Sequence, residues 1–384
     1  MNPLQKKFWL GLDYWLIAAI TVLSIFGIVC IGSATRINQG ADPGSFRSQI
    51  LFFLSGLVLM VAAASVNLRQ IARFSLWIYL LELGLLAAVL LFGREVSGAT
   101  RWFRLGPISI QPSEFAKCIT ILVSAGYLSK YRRQVNDTRT LLIYSGFSLI
   151  PVGLVALQPS LSACMVLFFI SFVELFAAGL HYKTIGRVLL VVIPLAILCV
   201  CDVLRDDPLL MDKILRPHQI NRIVDFFRPD PSSNTYYQTL KSINAIGSGQ
   251  FSGKGLYGGT LNQLSYLPEP HNDFIFSVIG EEFGFIGCIF VLALLLFVLF
   301  RCILIAMACR DSFSQLIVIG VVAMLGFQTF VNCGVATGLL PNTGMSLPFV
   351  SYGGSSMWAN MISIGLVLNI NLRKSRSIFE GGKT

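Results

Sequence analysis

The stretch Leu267-Pro268-Glu269-Pro270-His271-Asn272-Asp273, followed by Phe274-Ile275-Phe276, decides how this chain is organised. It closes a long polar segment and opens an apolar run that is long enough to cross a membrane. The pattern therefore predicts that Asp273 lies at the edge of a bilayer. A carboxylate beside hydrocarbon is costly and is retained mostly for function. We therefore take Asp273 as the candidate centre of the chemistry.

The composition predicts an all-α polytopic membrane protein. Of the 384 residues, 55% are hydrophobic and only 12% are charged, whereas a soluble protein carries roughly twice that charged fraction. A backbone surrounded by lipid must satisfy its own hydrogen bonds, which favours helices. The net charge of +10 does not indicate nucleic-acid binding, because most basic residues lie in short segments between the apolar runs, where they orient a membrane protein.

About ten apolar runs have the length of a membrane-spanning helix. They lie at residues 14–33, 48–66, 75–92, 113–129, 141–157, 161–180, 186–203, 273–300, 315–335 and 353–371. We interpret residues 1–384 as a single membrane domain. Residues 204–272 form a large loop within it, between the seventh and eighth runs.

The distribution of lysine and arginine predicts the orientation. The segments that would share a side with the two termini carry sixteen basic residues. The opposite short segments carry six, and the large loop is exempt because long loops follow the charge rule poorly. Both termini are therefore predicted to be cytoplasmic and the loop 204–272 extracytoplasmic. The nine cysteines are odd in number, lack metal-ligand spacing and are interpreted as free thiols.

Three segments on the predicted outer side carry polar residues suited to a ligand. Arg101 and Trp102 suit either the headgroup layer or a binding surface. Glu114 and Lys117 are three residues apart, share a helix face and are predicted to pair with each other. The region 337–356, which contains Ser351, has two prolines and several glycines. Irregular backbone at membrane depth indicates a cavity lining, although close helix packing is an alternative.

Cationic and aromatic residues alternate in the large loop, which fits an anionic and partly apolar ligand. The candidates are Arg216, Arg222, Gln238 and Lys254. Lys254 lies between Gly253 and Gly255, whose spacing is not that of a P-loop, but glycine amides can cradle a phosphate. The alternative is that these residues belong to a solvated loop.

The ordered motifs resemble the shape, elongation, division and sporulation proteins of bacteria, the family of RodA, FtsW and SpoVE. The resemblance covers nearly the whole chain. Asn342-Thr343-Gly344 is more similar to RodA than to division proteins. The motifs that carry the resemblance are Arg101-Trp102, Gln111-Pro112-Ser113-Glu114 with Lys117, Arg222-Ile223, Tyr237-Gln238, Gly253-Lys254-Gly255, Leu267-Pro268-Glu269 with His271 and Asp273, Gly280-Glu281-Glu282, and residues 347–355.

The resemblance implies a peptidoglycan glycosyltransferase of the bacterial inner membrane that polymerises lipid II during cell elongation. Asp273 would act as the general base on the acceptor sugar. The implied partners are a class B penicillin-binding protein and the elongation machinery. No cofactor is certain, but Glu114 could help to bind a divalent cation, Mg²⁺ or Mn²⁺. The substrate-binding residues would be Arg101, Trp102, Glu114, Lys117, Arg216, Arg222, Gln238, Lys254, Glu269, His271 and Ser351.

Several alternatives remain open at the level of sequence. Family members usually have an acid after Gln158-Pro159, whereas this chain has Ser160. The chain could instead be a lipid II flippase or a non-catalytic scaffold for the transpeptidase. It could also serve division or sporulation rather than elongation. Asp273 itself has a structural alternative, in which Asn272 or Asp273 is the N-cap of the eighth span.

Overall fold

The computed structural model describes residues 12–35, 43–96, 99–105, 108–205, 211, 215–263 and 270–380. Glu269, one of the predicted substrate-binding residues, lies outside these ranges. The fold is a bundle of long helices, as the sequence predicts.

Ten long helices occupy the ten predicted positions, and most of their boundaries agree within a few residues. Seven of the described helices are long and apolar enough to cross a membrane on their own, and α7 is a shorter apolar helix. The ten are α1 (Tyr14–Ala34), α2 (Pro43–Ser65), α4 (Ser75–Phe92), α5 (Pro112–Lys130), α6 (Thr138–Leu157), α7 (Leu161–Ala177), α8 (Tyr182–Val203), α12 (Ile275–Met307), α13 (Ser312–Ala336) and α14 (Gly354–Glu380).

Local sequence sets several helix boundaries. Asp13 is the N-cap of α1, and its Oδ1 accepts a hydrogen bond from Leu16 N at 3.1 Å. Asp311 caps α13 in the same way, accepting from Ser314 N at 2.9 Å. Pro112 occupies the first turn of α5, where its missing N–H has no intrahelical partner to lose.

Short elements connect the long helices. A short helix α3 (Leu68–Arg73) precedes α4, and a 3₁₀ turn (Arg132–Gln134) follows α5. A small antiparallel sheet joins α4 to α5, and the sequence analysis did not predict it. Its strands are β1 (Arg94–Val96), β2 (Ala99–Leu105) and β3 (Ile108–Ile110), in the order β1-β2-β3. Arg94 lies opposite Trp102, and Phe103 lies opposite Ile110.

The predicted loop 204–272 contains helices of its own. They are α9 (Pro217–Phe227), α10 (Asn234–Ser248) and α11 (Thr260–Gln263). Helix α10 packs against α12 and α13. The Ser242 hydroxyl donates to Ala336 O at 2.6 Å and lies 2.5 Å from the Ser277 hydroxyl. These contacts fix part of the loop against the bundle.

Helix α12 is two helices joined at Gly284. That residue has φ +64° and ψ −159°, which is not helical. A Cβ added at Gly287 would lie 3.3 Å from the Ile279 side chain. Residues eight apart on a straight helix are separated by about 12 Å. The two segments therefore fold against each other, and Phe274 and Ile275, at the start of the first segment, are buried.

The core is a continuous apolar cluster that involves α1, α2, α5, α7 and α12 to α14. The most extensive packing is between α2 and α14. Helix α8 differs from the others because no residue in its most apolar stretch is buried. All nine cysteines are free, as predicted.

Candidate functional site

Asp273 lies in a turn that packs against the irregular segment between α13 and α14. A side-chain amide fixes its main chain, because Asn332 Nδ2 donates to Asp273 O at 2.9 Å and to Met345 O at 2.6 Å. Helix α12 begins at Ile275 and its N-cap position is Phe274. The N-cap alternative for Asn272 or Asp273 is therefore wrong.

Gly344 brings Asp273 and Arg222 together. It has φ +69°, a conformation that side chains rarely adopt. A Cβ built on Gly344 would lie 3.2 Å from Asp273 Oδ2 and 3.4 Å from Arg222 Nη1. The carboxylate of Asp273 and the guanidinium of Arg222 thus both lie beside Gly344, and a larger residue at this position would crowd them.

Arg101 and Arg216 complete a cationic cluster around Asp273. Burial lowers the pKa of Arg101, and the charges of Arg222 and Arg216 lower it further, whereas Asp273 raises it. Burial also lowers the pKa of Arg222, and Asp273 opposes that effect. Asp273 thus interacts electrostatically with Arg101 and Arg222, and Arg216 lies close enough to Arg101 to act on it. The cluster has an excess of positive charge, which an anionic ligand would neutralise.

Arg101 has an unsatisfied donor in this cluster. Its Nε is buried and has no hydrogen-bond partner. A buried charged donor without a partner is costly. The neighbouring Trp102 is half-buried on the same strand. Together these residues present one free donor and one aromatic surface beside the acid.

The segment between α13 and α14 is ordered by its own polar side chains. The Ser351 hydroxyl accepts from Leu347 N at 2.8 Å, and Ser351 is buried. Tyr352 N donates to His271 O at 2.9 Å, and the two rings lie 5.5 Å apart. Asn342 Nδ2 donates to Gln238 Oε1 at 3.1 Å. This segment therefore includes Ser351 and contacts His271 and Gln238.

Glu114 and Lys117 form the predicted ion pair. Lys117 Nζ lies 2.8 Å from Glu114 Oε1, and only 3% of the Lys117 side chain is exposed. The start of α5 contacts the start of α14, because Gln111 N donates to Ser355 Oγ at 2.9 Å. The pair is thus held near one end of the segment that orders the site.

Lys254 is engaged elsewhere. Its Nζ lies 2.7 Å from Glu281 Oε1, and Glu281 is fully buried. The amides of Gly253, Lys254 and Gly255 donate to Gly249 O, Glu281 O and Glu282 O. The predicted phosphate cradle of glycine amides is therefore wrong, because main-chain carbonyls already occupy those donors. A role of the Lys254 ammonium in substrate binding stays a prediction.

Sequence reasoning missed two residues that hold the site together. Asn332 is 1% exposed within α13. Gln49, which is fully buried, donates to Ser351 O at 3.3 Å and accepts from Gly353 N at 3.1 Å. An asparagine or glutamine inside an apolar run indicates such a structural role, because its side-chain amide must form hydrogen bonds within the bundle.

The described residues do not fit a protein-only metal site. No three histidine, cysteine, aspartate or glutamate side chains among them converge on one point. Glu114, which the sequence offered as a ligand for a divalent ion, is bonded through both carboxylate oxygens to Lys117.

Comparisons with known proteins identify the family of the chain. The family model described as cell cycle protein, covering FtsW, RodA and SpoVE, matches residues 13–376. The chain is 34% identical to "Probable peptidoglycan glycosyltransferase FtsW" of Bacillus subtilis, over 96% of this chain and 92% of that protein. It is 32% identical to "Peptidoglycan glycosyltransferase MrdB" of Escherichia coli, over 97% of each.

Solved structures match as well. A chain from a peptidoglycan synthase complex, described as coordinating polymerization and crosslinking, superposes with a TM-score of 0.79. The sequences are 31% identical, and the match covers 95% of this chain and 99% of that one. The rod shape determining protein RodA of Thermus thermophilus superposes with a TM-score of 0.68 at 30% identity, over 94% and 97% of the two chains.

Proposed function

Because the chain belongs to the family of FtsW, RodA and SpoVE, we propose that it is a peptidoglycan glycosyltransferase that polymerises lipid II. The observation that carries the proposal is a single carboxylate, Asp273, held against Arg222 over Gly344. Arg101 adds positive charge beside it, and Arg216 lies near Arg101. The names of the relatives support the same reaction class.

In this reaction the 4-hydroxyl oxygen of an acceptor GlcNAc attacks the anomeric carbon of a donor MurNAc. The bond from that carbon to the pyrophosphate oxygen breaks, and undecaprenyl pyrophosphate leaves with the electron pair. Asp273 takes the hydroxyl proton. Inversion at the anomeric carbon needs no second catalytic carboxylate, because pyrophosphate leaves without being protonated.

The arginines have a distinct role in the proposal. Negative charge develops on the pyrophosphate as the bond breaks, and fixed cations in a water-poor site stabilise it. Arg101 supplies the buried Nε that lacks a partner. Arg222 and Arg216 add charge from α9. The lipid tails would lie between helices, which explains why the reaction occurs in a membrane protein.

The biological setting is proposed at the same level. We place the protein in the bacterial inner membrane with both termini in the cytoplasm and the site on the outer side. A class B penicillin-binding protein would crosslink the glycan, in keeping with the synthase complex that the chain resembles. We assign it to elongation on the basis of Asn342-Thr343-Gly344, although FtsW proteins are equally similar overall.

The decisive test is lipid II extension by purified protein in detergent. We expect the wild type to make glycan strands and Asp273→Asn, which keeps size and removes the charge, to lose at least about a hundredfold in rate. Asp137→Asn is the matched control, because Asp137 is exposed and its side chain makes no capping hydrogen bond at the start of α6.

The same assay separates the alternatives. A flippase would leave lipid II unpolymerised in detergent, where there are no two compartments. A scaffold would be inactive alone, and cells that carry Asp273→Asn would still grow. If the purified variant extends glycan at the wild-type rate, Asp273 is not the base.

A further inference from the structure

Two buried acids in the helical bundle have no part in the candidate site. Glu82 of α4 is 1% exposed and Glu174 of α7 is 0% exposed. Glu82 Oε1 accepts a hydrogen bond from Thr120 Oγ1 at 3.0 Å, but its Oε2 has no partner. Both carboxylate oxygens of Glu174 lack partners. Acids inside membrane helices are rare and mark ion or proton sites.

Both acids face the same side of α5. Thr120 and Ser124 are four residues apart and share a helix face. Ser124 lies beside the Glu174 carboxyl and beside the Tyr144 phenol. Its hydroxyl makes no hydrogen bond of acceptable geometry, and neither does that of Ser148. Several oxygen atoms without partners therefore converge between α4, α5, α6 and α7.

A narrow crevice lies between α4, α5 and α6, on the side of α5 that carries Thr120 and Ser124. Its lining includes Glu82, Thr120, Ser124 and Ser148. Pro151 interrupts the main-chain hydrogen bonding of α6 beside the crevice, because it has no N–H to donate to Phe147 O. The Phe147 carbonyl accepts a hydrogen bond from Tyr79 Oη at 2.8 Å instead. The unpartnered Oε2 of Glu82 thus belongs to a side chain that lines a space walled by hydroxyl groups.

No base faces the acids from the described helices packed around them. Helix α4 contributes Tyr79 and Glu82, α6 contributes Tyr144, and α7 contributes Glu174. The lysines of α5 are engaged, Lys117 with Glu114 and Lys130 over the Tyr131 ring.

Helix α13 contributes main chain against Glu174. A Cβ added at Gly320 would overlap Glu174 Oε1. The acid is therefore packed tightly against backbone rather than open to solvent. A buried carboxylate without a counter-charge is costly, and no basic side chain of the described helices neutralises these two.

We propose that Glu82, Glu174 and the hydroxyls between them form a binding site for a monovalent cation, either a proton on the carboxyls or Na⁺ held by carboxylate and hydroxyl oxygens. Both ligands neutralise the acids, and oxygen atoms are the donors that hard cations prefer. A bound cation would tie α4 and α7 to α5, the helix that also carries the Glu114–Lys117 pair. The site is separate from glycosyl transfer and does not depend on the proposed function.

Infrared spectroscopy of purified protein tests the site directly. In a buffer with choline as the only cation, we expect the C=O band of a protonated, dehydrated carboxyl at neutral pH. Glu82→Gln and Glu174→Gln should each weaken that band, whereas the exposed control Asp137→Asn should not. A band that persists in NaCl identifies the proton as the resident ligand, and a band that NaCl removes identifies Na⁺.

Thermal unfolding gives a second readout. If folding takes up a proton at this site, the melting temperature of the wild type in choline falls as pH rises, because the unfolded acids ionise. If Na⁺ is bound, NaCl raises the melting temperature in a concentration-dependent manner. Glu174→Gln should be insensitive to whichever ligand acts. The proposal is overturned if no carboxyl band depends on Glu82 or Glu174 and both variants follow the wild type in pH and Na⁺ dependence.

Discussion

At the scale of single residues, Gly344 controls the distance between the acid and its cation. Its positive φ and its missing side chain let Asp273 Oδ2 and Arg222 Nη1 approach the same Cα. An added methyl group would lie 3.2 Å from the carboxylate oxygen, which is closer than most carbon contacts in a packed interior. A small displacement of a catalytic group is enough to slow a reaction substantially.

We therefore expect Gly344→Ala to lower the rate of lipid II extension by at least about tenfold. Gly338→Ala is the matched control. Gly338 has φ +74°, and its added Cβ would meet the Ile243 side chain at 2.7 Å rather than the site. Both variants should unfold at a lower temperature, with a loss of about 1 kcal/mol from backbone strain. Equal rates for the two variants would show that Gly344 does not position the acid.

The residues of the site differ in how far the sequence could reveal them. Asp273 was predictable because a carboxylate at the end of an apolar run is retained mostly for function. Arg101 and Arg222 were predictable because cationic residues that lie near aromatic ones fit an anionic, partly apolar ligand. Asn332 was not, because its two carbonyl acceptors lie in segments that are distant along the chain. The amides around Lys254 were misjudged for the same reason. Whether an amide is free depends on contacts that no local pattern contains.

At the scale of elements, the turn at Gly284 is completed by the segment 249–255. The first part of α12 ends with carbonyls that a helix cannot satisfy itself, and Lys254 N and Gly255 N donate to two of them at 3.0 and 2.9 Å. The second part begins with amides that have no acceptor within the helix, and two of them, Phe285 N and Ile286 N, donate to carbonyls of the segment 249–255. The positions of the ten long helices could be predicted from the lengths of the apolar runs. The turn at Gly284 could not, because the residues that complete its hydrogen bonds lie in the large loop.

Gly253 and Gly255 allow a sharp test of this arrangement. Both have positive φ, of +79° and +88°. A Cβ on Gly253 would overlap the Glu282 carbonyl, whereas a Cβ on Gly255 would meet nothing within 4 Å. Gly253→Ala should therefore lower the melting temperature clearly more than Gly255→Ala does, because only the added methyl group at residue 253 must push the segment 249–255 away from the turn at Gly284. If thermal unfolding in detergent shifts equally in both, the segment does not hold the turn.

At the scale of the whole molecule, one ion pair joins the first long helix to the eighth. Asp13 is 5% exposed and caps α1 through its Oδ1. Its Oδ2 accepts from Arg301 Nη2 at 2.5 Å and from Arg301 Nε at 3.1 Å. Both hydrogen bonds join charged groups, which makes them stronger than hydrogen bonds between neutral groups. The residues are 288 positions apart, so the pair closes the bundle at the helix ends opposite those near the turn at Gly284.

Asp13→Ala should destabilise the protein more than the loss of a cap alone. Removing an N-cap aspartate costs about 1 kcal/mol, and leaving the partner of a buried pair uncompensated costs about 3 kcal/mol more. The Arg301 side chain is 30% exposed, so solvent reduces the second contribution to its lower end. Asp311→Ala is the control, because Asp311 caps α13 at an exposed position. Thermal unfolding of the two variants should differ by several degrees, and Asp13→Asn, which keeps a capping oxygen but loses the charge, should fall between them. Identical shifts for Asp13→Ala and Asp311→Ala would mean that packing alone holds α1 against α12 at this end of the bundle.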